Sequence, residues 1–184
     1  MTFDATQVRV GVTGHLYKAP LGTTLPTTVT ASPNASFVEL GYTESGPKTS
    51  VDTSKEAFTP WQSLFPAREV ITGQIIKSKF TLWQRNSETL KLAFGGGTVT
   101  GTTTRVFTPP ATPTVNEGAF IMEVIDGAIT DRYVIARASF ALAGDVDVAK
   151  DGVTGYEIEM TWLQPASGNA WQLLSSDTAM TADV

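Results

Sequence analysis

Residue types that commonly carry chemistry are sparse in this chain. His15 is the one histidine, and it lies in a turn-rich stretch with no neighbouring pattern of carboxylates or cysteines. A metal site or a histidine-activated nucleophile needs several such groups together. We therefore interpret His15 as a surface or packing residue, and the sequence predicts neither a metal site nor a cofactor.

A run of three glycines at 95–97 invites comparison with a phosphate-binding loop. Such a loop leads into a helix and ends in Gly-Lys-Ser or Gly-Lys-Thr, whereas this run follows a predicted helix and lacks that ending. We interpret the run as the stop signal of the helix.

Two carboxylate pairs, Asp145 with Asp147 and Glu157 with Glu159, could in principle perform acid/base catalysis or bind a hard cation. Strand alternation accounts for the second pair differently. In residues 156–162 the apolar side chains fall on one face and the glutamates on the other, as in a half-exposed strand. The pattern favours carboxylates that face water, and we do not expect an enzyme.

Composition limits the class of protein further. The chain has 184 residues, 41% of them hydrophobic and 17% charged, which predicts a single folded domain over residues 1–184. A net charge of -5 argues against a protein that grips nucleic acid, because such proteins present a basic face to the phosphates. Without cysteine there are no disulfides or iron–sulfur clusters. We find no apolar run of roughly 20 residues and no signal-peptide pattern, so we expect a cytoplasmic product that does not bind membranes.

The local patterns predict a mainly β protein, a sandwich or barrel-like domain with one short α-helix at about residues 86–94. Asn86 is the expected helix N-cap. Residue 1 to about residue 36 is predicted to be an arm followed by surface loops, since glycine and proline recur there. The predicted strands cover residues 37–43, 68–83, 105–107, 120–125, 133–140, 156–163 and 170–174.

Residues 47–66 are predicted to be a long loop that carries an unusual apolar cluster. The cluster consists of Phe58, Trp61, Leu64 and Phe65. Exposed aromatic side chains in a loop favour a contact surface. Alternatively, Trp61 and Phe65 could fold back onto the domain's own core. The sequence leaves both interpretations open.

Several segments stand in a characteristic order along the chain. They lie at 10–14, 19–26, 40–42 before the turn at 46–47, 60–63, 68–73, 86–94, 143–148 and 155–157. None of them is a catalytic signature. In their order and spacing they resemble the major tail proteins, or tail tube subunits, of long-tailed siphophages, particularly those that infect actinobacteria.

This resemblance implies a β-sandwich-like tail tube fold with a packed helix. It implies that six copies form a ring and that rings stack around a tape measure protein, ending at tail terminator and distal tail proteins. Double-stranded DNA would pass through the tube, which belongs to the virion tail and is assembled in the host cytoplasm. The arm at 1–10 and the loop at 47–66, with Phe58, Trp61, Leu64 and Phe65, would reach other subunits.

Charge suggests how DNA passes through such a tube without adhering. Six chains of net charge -5 carry -30 together. An acidic lumen repels phosphates. We hypothesise that Glu157 and Glu159 face the lumen, with Glu123 as a further candidate.

Two other classes of protein share the threonine-rich β composition. One is another virion module, such as a capsid decoration, tail-tip or adhesion domain. The other is a sugar-binding or hydrolytic β-sandwich, which would need an aromatic platform or paired carboxylates across a cleft. Self-assembly into hollow cylinders distinguishes a tube subunit from both.

Overall fold

A computed structural model of the chain describes residues 7–146, 148, 150 and 152–180. Within these residues the chain is mainly β, with one helix, α1, at Ser87–Ala93. The prediction of a mainly β protein with one short helix is confirmed. The strands are β1 Thr13–Ala19, β2 Val38–Glu39, β3 Lys48–Phe58, β4 Arg68–Leu82, β5 Thr98–Thr100, β6 Val106–Thr108, β7 Asn116–Asp126, β8 Ile129–Leu142, β9 Tyr156–Trp162 and β10 Trp171–Ser175.

Eight strands form one antiparallel sheet in the order β2-β1-β7-β8-β9-β4-β3, and β10 pairs with β8 off this path. Strand β8 is long enough to pair with β10 through residues 131–135 and with β9 through residues 138–142. The sheet is open in this chain, because β2 and β3 lie at its two ends. The barrel-like alternative is therefore not realised within one subunit, whereas the sandwich-like one is consistent with the structure.

The main core lies on one face of the sheet, beneath α1. Strand β9 shows why: Tyr156, Ile158 and Met160 are buried, while the residues between them are half-buried. Such alternation places every second side chain on the same face. The buried members of the core include Leu16, Leu40, Phe80, Leu82, Leu92, Phe120, Met122, Ile135, Phe140, Tyr156, Ile158 and Met160.

Helix α1 begins and ends as the sequence predicts. The Asn86 side chain accepts a hydrogen bond from the Thr89 backbone N–H at 2.9 Å. After the helix, Gly95 adopts a positive φ of 69°, and the Gly96 N–H donates to the Lys91 carbonyl at 2.7 Å. This left-handed ending favours glycine, so the glycine run terminates the helix.

The prediction of a loop over residues 47–66 is wrong for most of that range. Residues 48–58 form β3, which pairs with β4 to make a long hairpin, and only residues 59–67 form the turn. The register shifts between Ser54 and Lys55, opposite Gly73, where the sequence predicted a bulge. Strand β3 lies at the sheet edge with almost all of its residues exposed, so it lacks the apolar alternation of a half-buried strand.

The opening segment, predicted to be an arm and surface loops, also contains a strand. Strand β1 pairs with β7 over seven residues. Gly14 suggested a turn, but it allows close backbone approach instead: a Cβ there would lie 2.2 Å from the Glu123 carbonyl oxygen. A small second cluster forms on the opposite face of the sheet, where Phe37 packs near Ala119 and Ile121.

Candidate assembly surfaces

The β3–β4 hairpin ends in an uncharged apolar tip, which we define as residues 58–67. Trp61 is 98% exposed, Leu64 96% and Phe65 79%, and Phe58 is exposed as well. In this subunit none of the four side chains folds back onto the core. The alternative prediction, in which Trp61 and Phe65 pack against the domain's own core, is therefore wrong. Apolar side chains clustered in this way usually mark a contact surface.

The conformation of the hairpin tip is set by its own hydrogen bonds. The Ser63 N–H donates to the Pro60 carbonyl at 3.2 Å, and the Phe65 N–H donates to the Ser63 hydroxyl at 3.0 Å. The Ala67 N–H closes the turn on the Phe58 carbonyl at 2.9 Å. A preformed turn lowers the entropy cost of presenting these side chains to a partner.

A second surface lies on the sheet face opposite α1, and we call it the polar face. Lys79 pairs across the strands with Glu159, Thr81 with Glu157, and Lys77 with Thr161. The alternation predicted for β4 and β9 is confirmed, and Glu157 and Glu159 do lie on one face. The members are Lys77, Lys79 and Thr81 of β4 and Glu157, Glu159 and Thr161 of β9.

Glu159 is the electrostatic centre of the polar face. Its carboxylate accepts a hydrogen bond from Lys77 Nζ at 2.8 Å and lies 3.4 Å from Lys79 Nζ. The hydrogen bond from Lys77, together with the charges of both lysines, lowers the pKa of Glu159 below its usual value. The face therefore combines carboxylates with cations and is not simply acidic.

Glu123 does not lie on a water-facing surface, and the hypothesis that it faces a lumen is wrong for this subunit. It is 8% exposed and accepts a hydrogen bond from the Arg132 guanidinium at 2.7 Å. Arg132 also donates hydrogen bonds to the backbone carbonyls of Thr28 and Ala31, so these residues cover the ion pair. The segment that follows β1 hides this carboxylate, and strand alternation alone could not show that.

Among the described residues, the groups considered for chemistry form no cluster of metal ligands. His15 is half-buried, and its Nδ1 lies 2.7 Å from Glu39 Oε1. Within residues 7–146, 148, 150 and 152–180, no group of three or more potential metal ligands is found. Asp145 is described, whereas its pair member Asp147 lies outside the described residues.

Part of the predicted arm at 1–10 is described, and the first six residues lie outside the described part. Residues 7–10 lie along their own subunit. Arg9 forms an ion pair with Asp177, and the Val10 N–H donates to the Asp126 carboxylate at 3.0 Å. Val8 and Val10 are nevertheless exposed.

An aromatic groove of about 470 Å³, which the sequence did not predict, lies on the α1 side of the sheet at the base of the hairpin. Trp162 and Trp171 meet edge to face at 5.6 Å, and Tyr133 stacks on Trp171 at 6.4 Å. The wall nearest the hairpin is formed by Val51 and Ile76. The sequence feature that could have indicated the groove is the pair Trp162 and Trp171, which flank the short connection between β9 and β10.

A comparison with family models decides the class of protein. The model described as phage tail tube protein matches residues 1–184. The chain belongs to this family. A search of the curated proteins finds no match. The prediction of a tail tube protein, made from the order of the segments, is thus confirmed.

As a tail tube protein, the chain is a structural component of the virion tail. Its one described helix has seven residues, and no described helix is long and apolar enough to cross a membrane. A tail tube assembles from copies of its subunit and contacts other tail proteins. The features of this subunit that bear on its role are therefore its contact surfaces. The hairpin tip, the polar face and the aromatic groove are the candidates in this subunit.

Proposed function

We propose that this tail tube protein self-assembles into stacked rings, six copies to a ring, that form a conduit for DNA ejection. The observation that carries the proposal is the hairpin tip, an uncharged and exposed apolar surface on a chain of this family. Burying a Leu or Phe side chain stabilises a contact by about 1.5–3 kcal/mol. Phe58, Trp61, Leu64 and Phe65 would supply such contacts between subunits or rings.

The open sheet supports assembly independently. Among the described strands, β3 pairs only with β4, so one edge of an 11-residue strand has no strand beside it. A long free edge presents unpaired backbone groups that readily add another strand. Joining sheets from neighbouring subunits would remove this edge and close the barrel that a single subunit leaves open.

The polar face is the proposed lumen surface, with Glu157 and Glu159 directed toward the passing DNA. Its charge differs from the acidic lining first expected, because Lys77 and Lys79 lie beside Glu159. These lysines are engaged with a carboxylate, so they bind phosphates less strongly than free cations would. The wall would still allow DNA to slide.

The remaining partners follow from the proposed assembly. The tape measure protein would occupy the bore before DNA, and tail terminator and distal tail proteins would contact the two ends. The arm at 1–10 would contribute a further contact to a neighbouring ring through exposed side chains such as Val8 and Val10, while Arg9 and the Val10 backbone stay bound to their own subunit. No cofactor and no catalytic step form part of the proposal.

Electron microscopy of the purified protein tests assembly directly, and tubes of uniform bore are the expected result. The double variant Trp61→Ser, Phe65→Ser should fold with unchanged circular dichroism and form no tubes. Gln62→Ala, a polar change in the same turn, is the matched control and should assemble normally. Discrete wild-type particles at all concentrations would refute the proposed function, and normal tubes from the double variant would refute the role of the hairpin tip.

A further inference from the structure

The aromatic groove has the properties of a receptor for an uncharged apolar segment. Its floor is preformed, since Tyr133, Trp171 and Trp162 support one another and the Trp162 indole N–H donates to the Ser78 hydroxyl at 3.0 Å. Its lining carries no charged side chain. A charged occupant would lose its hydration there without gaining a partner.

We propose that the aromatic groove of one copy receives the hairpin tip of a second copy. This inference rests on the proposed function and identifies the surface that the tip contacts. Residues 58–67 contain no charged side chain and expose Trp61, Leu64 and Phe65. Tip and groove therefore match in polarity, and both are exposed in the single subunit.

The tip of the same chain cannot fill the groove. Val51 lies at the groove and Phe58 begins the tip, seven residues further along the paired strand β3. Seven residues of extended strand span roughly 23 Å. Pairing with β4 continues over this whole length and keeps the hairpin extended, so the tip points away from its own groove.

A contact between two different surfaces of identical chains is heterologous. Repeated from copy to copy, it produces either a closed ring or an open helical stack, and a tube contains both kinds of relation. The length of the hairpin also sets a scale. In this contact, the grooves of successive copies are separated by about the distance between groove and tip in one chain, roughly 23 Å as far as Phe58.

The alternative occupant within the described chain is the stretch that contains Val8, Val10 and Val12, whose side chains are exposed. This stretch is bound to its own subunit. The Val12 N–H donates to the Ile125 carbonyl at 3.1 Å, and Val10 is held by Asp126. The hairpin tip has no such attachment to the body of its subunit among the described hydrogen bonds, so it is the favoured occupant.

Disulfide trapping tests the contact, and the absence of native cysteine makes the background clean. The variant Leu64→Cys, Val51→Cys is assembled into tubes and oxidised. A ladder of covalent multimers on a non-reducing gel is expected, because each tip joins the next groove. In the control, Leu64→Cys is combined with Ser50→Cys, which lies next to Val51 on the opposite face of β3, and no ladder should form.

Disulfides need Cβ atoms about 3.5–4.5 Å apart, so two more pairs cover neighbouring registers, Phe65→Cys with Val51→Cys and Leu64→Cys with Ile76→Cys. Tubes without a ladder from any of the three pairs would overturn the inference and leave the proposed function intact. A ladder from Val10→Cys with Val51→Cys, but from none of the tip pairs, would assign the groove to the N-terminal stretch and also overturn it. If wild-type protein forms no tubes, the result contradicts the proposed function, and the inference that rests on it is overturned as well.

Discussion

Arg132 and Glu123 form a buried ion pair between the neighbouring strands β8 and β7, directly opposite one another in register. The guanidinium also holds the carbonyls of Thr28 and Ala31, at 2.8 and 2.7 Å. One arginine thus joins two strands and the covering segment that follows β1. This ion pair explains why Glu123 has a structural role in β7 and does not face water.

Removing one member of this pair should strongly destabilise the subunit. We expect Glu123→Ala to lower the free energy of unfolding by about 3–5 kcal/mol, because Arg132 would keep a buried charge without its carboxylate. The melting temperature of the unassembled chain should fall by roughly 6–20 °C.

A double-mutant cycle checks the cause of that loss. Glu123→Leu combined with Arg132→Met should cost less than the sum of the two single changes, since no unpaired charge remains. Urea unfolding of the four proteins supplies the free energies. Additivity within about 0.5 kcal/mol would show that the ion pair is not the source of the effect.

Stability should decrease in acid because of Glu159 and Glu117. Hydrogen bonds from Lys77 and Arg137 respectively lower the pKa of each carboxyl in the folded chain below its usual 4.5. As the pH falls below that value, the unfolded chain takes up protons before the folded chain does, and this contribution to stability is lost.

Thermal unfolding of unassembled protein between pH 3 and pH 7 measures the acid effect, with Lys77→Met as the comparison. NMR titration of Glu159 in that variant should show its pKa raised toward the usual value, because the principal hydrogen bond is gone. An unchanged Glu159 titration would contradict the role of Lys77.

Asn86→Ala should destabilise the chain by about 1 kcal/mol, because the Thr89 N–H loses its side-chain acceptor. A decrease of roughly 2–4 °C in melting temperature is expected. Asn86→Asp keeps an oxygen in place and is the control that should remain near wild type. Equal losses in both variants would show that capping is not what the position requires.

Cysteine labelling tests whether the polar face lines the bore. In Glu157→Cys, a small maleimide should modify assembled tubes, whereas a maleimide on a bulky polymer should react only with unassembled chain. The unassembled protein, labelled by both reagents, is the internal control. Complete labelling of intact tubes by the polymer would place residue 157 on the outer wall.

Much of the strand pattern was accessible from the sequence. In β9 and the second half of β4, alternation predicted which residues face water, because a half-buried strand has a period of two. Asn86 and Gly95 marked the helix, since caps depend on local hydrogen bonds and backbone angles. The family was also recognised from the order of the segments, and the whole-chain match confirms it.

What the sequence left undecided depended on residues distant in the chain. Strand β3 is an edge strand without alternation, so only its pairing with β4 distinguishes it from a loop. Glu123 is buried because Arg132 and residues 28–31 cover it. The aromatic groove forms because strands β4, β8 and β10 bring Ile76, Tyr133 and Trp171 together. Local patterns determine which residues can form strands and caps, whereas burial and shared surfaces depend on contacts that only the tertiary structure creates.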